Sequence, residues 1–143
     1  MEKEIPVLQT KTWEQVYNEC NHQLDNLKFY EVEIRFLNRL MEEYFTKMMQ
    51  QEKLPEIKIA LQDLKNLNKE RGEIVELLTK HKKDIQLLEE RITEQANNWV
   101  MDQEETLHMK FKTFHENYKK TKTEIFYLAE HILRTNKTKN LLK

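Results

Sequence analysis

One glycine, Gly72, and two prolines, Pro6 and Pro55, are the only chain breakers among 143 residues. So few leave little room for the tight turns of a many-stranded sheet. Cys20 is the only cysteine, which excludes an intrachain disulfide. No uncharged run is long enough to span a bilayer. The opening MEKEIPVLQT lacks an apolar core of signal-peptide length, so the expected compartment is the cytoplasm. An excess of charge of one sign is missing too: 24 basic and 25 acidic residues leave a net charge of −1. Without a basic stripe to neutralise phosphates, nucleic-acid binding is not expected.

Apolar residues make up 38 % and charged residues 34 %, against averages of about 45–50 % and 25 %. That balance suits long helices with one buried stripe and a wide solvated face. The apolar positions are too regularly spaced for a disordered chain.

From Thr12 to Glu52 there is neither Gly nor Pro. Thr12 and Gln15 have the spacing of a capping box. Trp13, Val16, Cys20, Leu24, Leu27, Ile34, Met41 and Met48 then recur at threes, fours and sevens, which predicts a helix over 12–51. Leu54-Pro55-Glu56 marks the next start, since proline suits a first helical turn. Leu61, Leu64, Leu67, Ile74, Leu78, Ile85, Leu88 and Ile92 carry a second helix over 55–95, running through Gly72 with at most a bend. Asn97-Asn98 is the best turn signal after it. Asp102 with Glu105 suits the start of a third helix over 102–134, striped by Val100, Leu107, Phe111, Phe114, Tyr118, Ile125, Leu128 and Ile132. Short connections make neighbours antiparallel. The expected fold is therefore all-α: an elongated, antiparallel, coiled-coil-like three-helix bundle in one domain, with flexible tails at 1–11 and 135–143.

The stretch KFYEVEIRFL, residues 28–37, alternates like a strand. Uninterrupted helical spacing on both sides overrides that reading. On a helix it becomes two ridges: Phe29, Val32, Phe36 and Leu40 beside Tyr30, Ile34, Leu37, Met41 and Tyr44. Two ridges imply two neighbours. Either the three-helix core broadens here, or the Phe29–Phe36–Leu40 ridge docks a second chain. Glu33 lies in the furrow between them. It either reaches out to water or joins a pair that sets helix register.

Residues that could do chemistry are sparse. Two Glu-x-x-His matches, Glu19/His22 and Glu105/His108, have the spacing of carboxylate-bridged metal bundles. A parallel arrangement of helices one and three would bring them together with Glu89, Glu90 and Glu94. Both pairs lie off the apolar stripes, however, and solvated polar flanks explain them, so no metal and no cofactor is expected. His81 falls in the second stripe and reads as a core histidine with a partner, or as a pH-sensitive contact. Cys20 reads as a small core residue. There is no Gly-rich phosphate loop and no Ser nucleophile turn. With no catalytic site in view, an enzyme is not expected.

Across residues 13–133 the chain resembles a group of short, all-helical bacterial proteins of no assigned activity. The likeness rests on Trp13, Leu27, Phe29, Tyr30, Ile34, Phe36, Arg39 and Leu40, then a Gln/Lys/Glu-rich helix and an aromatic closing helix. It implies the helical fold and adds no site. The sequence points first to a non-enzymatic protein-interaction or scaffold module, self-associating or bound to a partner protein, with Phe29, Glu33, Phe36 and Leu40 at the interface. The second reading is a ferritin-like metal-binding bundle.

Overall fold

A computed structural model describes residues 7–8, 11–48, 54–88 and 93–142, with side chains placed at 12–43, 54–88 and 93–134. The fold is an all-α three-helix bundle. Its helices are α1 (Trp13–Met48), α2 (Leu54–Leu88) and α3 (Glu94–Leu142). A two-residue antiparallel pair, β1 (Val7–Leu8) with β2 (Lys11–Thr12), leads into α1.

The start of α1 is a reciprocal cap. The Gln15 amide donates to Thr12 Oγ1 at 3.1 Å, and the Thr12 amide donates to Gln15 Oε1 at 2.9 Å. Two amides with no helical partner are thereby satisfied. Pro55 sits in the first turn of α2, where no amide is missed. KFYEVEIRFL is helical throughout.

Gly72 lies inside α2 without breaking it, and a methyl group added there would meet nothing within 4 Å. Gly72→Ala should therefore stabilise the protein by about 0.5–1 kcal/mol, because alanine restricts the unfolded chain and favours the helix. A lowered urea midpoint would contradict this.

The end of α2 and both ends of α3 differ from the sequence expectation. The chain does not turn at Asn97-Asn98, and the third helix does not wait for Asp102. Thr93 caps α3 instead: its Oγ1 accepts from the Ala96 amide at 3.0 Å, and its carbonyl accepts from the Asn97 amide at 3.0 Å. A threonine cap satisfies free amides outright, whereas asparagine inside a helix costs only about 0.7 kcal/mol relative to alanine. Glu94 accordingly belongs to α3, and α2 is helical to Leu88, short of the expected residue 95; residues 89–92, with Glu89, Glu90 and Ile92, lie outside the described residues. At its far end α3 continues past 134 to Leu142, through a stretch with no Gly or Pro to stop it.

Contacts group the chain into two compact units. The first comprises Met1–Phe29 and Arg71–Thr113, the second Tyr30–Glu70 and Phe114–Lys143. In the first, Trp13, Val16, Cys20 and Leu27 of α1 are buried, as are Ile74, Leu78 and Ile85 of α2 and Val100 and Leu107 of α3. Tyr17 meets Gln86 at 3.2 Å while Trp13 meets Asn97, so here α1 runs against α2 and alongside α3. In the second unit the buried set is Ile34, Leu37 and Met41, then Ile57, Ala60, Leu64 and Leu67, then Phe114, Tyr118, Ile125, Leu128 and Ile132. Each fully buried side chain of this size contributes about 1.5–3 kcal/mol. Leu24 and Leu61, expected in the core, are only half-buried; Ile57 and Ala60 supply core positions absent from the expected stripes.

Candidate functional site

In the second unit, the α1 furrow is where α3 docks. The Tyr30 ring meets Phe114 edge-on at 5.0 Å and Tyr118 at 4.8 Å, and its hydroxyl hydrogen-bonds His115 Nδ1. One turn on, Lys122 Nζ donates to Glu33 Oε1 at 3.4 Å. Glu33 therefore neither stands alone in water nor is buried unpaired: it is half-buried and bridges two helices. The same ammonium lies 5.6 Å over the Tyr118 ring and 5.7 Å over Phe126, a cation–π arrangement.

Beside this bridge the apolar side chains are uncovered. Val32 and Phe36 are each 56 % exposed, Phe126 is 45 % exposed and Leu133 51 %. Leu40 is half-buried. Phe29, at the close of the first unit's part of α1, is 62 % exposed. The expectation that a thicker three-helix core would cover this ridge is thus not met. The α1 face carrying Tyr30, Ile34, Leu37 and Met41 already takes the neighbours, and the outer ridge is left to solvent.

Burial raises the Tyr30 phenol above its usual pKa of 10.0, the Glu33 carboxylate adds to the rise, and Lys122 opposes it. The folded chain thus holds this proton more tightly than the unfolded chain does. The resulting stability is fully present below pH 10 and is lost as pH rises through the raised value. Tyr30→Phe should therefore flatten the fall in unfolding free energy above pH 10. An unchanged slope would show that other groups govern it.

The first unit holds a different feature. A cleft of about 340 Å³ is lined by Glu19 and Cys20 of α1, by Leu78 of α2 and by Asp102, Glu104, Glu105 and His108 of α3, among others. Three of the four residues in the Glu-x-x-His matches meet here; His22 is exposed and does not line it. Behind the rim, His81 Nε2 lies 2.6 Å from Glu104 Oε2, and the His81 ring tilts against Trp99 at 6.3 Å. His81 is 3 % exposed and Cys20 is likewise buried, as their stripe positions predict. Among the described residues these two form a three-residue ligand-type cluster with Glu104.

Sequence reasoning passed over Glu104, which sits on no apolar stripe. The first connection places Cys20 against about residue 82, and the second, between Leu88 and Glu94, places His81 against about residue 101, within a turn of Glu104. With the turn expected at Asn97-Asn98 instead, the sequence pairs His81 with residues well beyond Glu104.

Among the described residues the helical bundle carries an uncovered apolar face in its second unit and a polar cleft in its first. The chain matches no protein-family model, no curated protein and no solved structure. Among the described residues, no helix is long and apolar enough to cross a membrane.

Proposed function

We propose that the chain is a non-enzymatic helical interaction module that self-associates through the α1–α3 face of its second unit. The observation that carries this reading is the exposure of Val32 and Phe36, within a turn of Glu33, and of Phe126 under the Lys122 ammonium. Single exposed apolar residues are ordinary, but aromatic and aliphatic groups gathered at a half-buried ion pair have the make-up of an interface. Aromatic side chains at the centre of such a patch carry much of the binding energy.

The occupant argued for is a second copy. With a net charge of −1 two copies feel little mutual repulsion. The face also carries an acid and a base side by side. Under two-fold symmetry each copy's carboxylate can then meet the other's ammonium.

Light scattering coupled to size exclusion tests the reading. At high concentration the mass should exceed the 17.6 kDa of one chain. Phe36→Lys with Phe126→Lys should return it to the monomer value while leaving the helical circular dichroism intact. A wild-type mass of one chain at every concentration would overturn self-association.

A further inference from the structure

We propose that Cys20, His81 and Glu104 bind a divalent transition-metal ion, with zinc the best match, in the first unit of the bundle. Each of the three helices supplies one ligand. One donor atom from each residue, a sulfur, a ring nitrogen and a carboxylate oxygen, lies within 4.8 Å of the other two. Tetrahedral ligands at ordinary zinc bond lengths lie roughly 3.2–3.7 Å apart. The widest gap therefore has to close by about an ångström, and the 2.6 Å contact between His81 and Glu104 has to open by less than that. Side-chain rotation accomplishes both.

The donor set selects the ion. A thiolate with an imidazole suits zinc and its neighbours in the first transition row, whereas magnesium and calcium take oxygen ligands. His81 supplies an independent observation. Its ring is buried, Nε2 faces Glu104, and Nδ1 is buried with no hydrogen-bond partner among the described residues. A buried polar atom without a partner is rare enough to need a cause. Nε2 is the nitrogen that faces Glu104, so it is the one able to share an ion with that carboxylate, and the ring proton then sits on Nδ1.

Binding is a proton exchange. The Cys20 thiol releases its proton to solvent as the sulfur–metal bond forms, so no oxidant or reductant is involved. Three protein ligands leave one position open. It faces the cleft, whose rim carries Glu19, Asp102 and Glu105. Those carboxylates raise the local concentration of cations, and water or one of them completes the coordination.

Cobalt(II) serves as a spectroscopic probe of the full-length, reduced, metal-free chain. We expect one equivalent to produce a sulfur-to-cobalt charge-transfer band with the intense visible bands of four-coordinate cobalt. One equivalent of zinc should bleach both and raise the melting temperature. Cys20→Ser should abolish the charge-transfer band, and Glu104→Gln should weaken binding by at least about 10–100-fold. His22→Ala should change nothing. Because Cys20 is in the core, Cys20→Ala and Glu104→Gln, each verified as folded by circular dichroism, keep the test open if the serine variant unfolds. The proposal is overturned if cobalt gives no saturable charge-transfer band at one equivalent. It is also overturned if folded Cys20→Ala binds as tightly as wild type, or if His22→Ala removes the signal.

Discussion

Phe114→Ala should lower the unfolding free energy by about 3–5 kcal/mol. Phe114 is 1 % exposed and heads the large, fully buried side chains of the described residues. Truncation forfeits the transfer of its ring out of water and leaves a cavity that the surrounding helices cannot fill without shifting. It also removes the edge-on partner of Tyr30 at 5.0 Å and 87°, an aromatic pair worth about 0.5–1.5 kcal/mol beyond its area. Phe36→Ala is the matching control. That ring is 56 % exposed, so its removal from a dilute, dissociated sample should change stability by no more than about 0.5 kcal/mol. Urea denaturation followed by circular dichroism compares the two directly. Equal losses would mean that the assignment of inner and outer ridges on α1 is wrong.

Trp13→Ala should cost a similar amount, about 3–5 kcal/mol. Trp13 is the first residue of α1 and is 4 % exposed. Its indole N–H donates to Asn97 Oδ1 in the opening turns of α3. The substitution thus removes a large buried surface and a contact tying two helices together at the end where both begin. Trp13→Phe separates the two contributions, since it keeps most of the apolar body. It should cost less than Trp13→Ala, with about 1–3 kcal/mol arising from the Asn97 oxygen left without its donor. If phenylalanine proved as damaging as alanine, the hydrogen bond and not the buried ring would dominate.

Asn97 shows how a sound local signal can be overruled. Paired asparagines favour turns because their side chains compete with the helix for backbone partners. Here Thr93 is available four residues earlier to cap α3, and the Asn97 side chain has a better use as acceptor for Trp13. Neither fact is visible within the dipeptide. The capping box at Thr12 and Gln15, the Pro55 start and the unbroken passage through Gly72 were legible, because each depends on backbone groups only a few residues away.

The exposed ridge and the ligand cluster lie at the other extreme. Val32 and Phe36 are four apart and Ile34 and Leu37 three apart, both helical spacings, yet the first pair is uncovered and the second buried. Periodicity identifies two apolar faces, and only the position of the neighbouring helices decides which is covered. Cys20, His81 and Glu104 are separated by dozens of residues and meet because three helices are in register at that level. What the amino-acid order determined by itself was therefore the helices, two of their starts and the residues able to enter a core, all consequences of hydrogen bonds and side-chain spacing within a few turns. The tertiary structure decided which ridge stays bare and which polar groups share a buried pocket, because both depend on the rotation and axial offset of one helix against another.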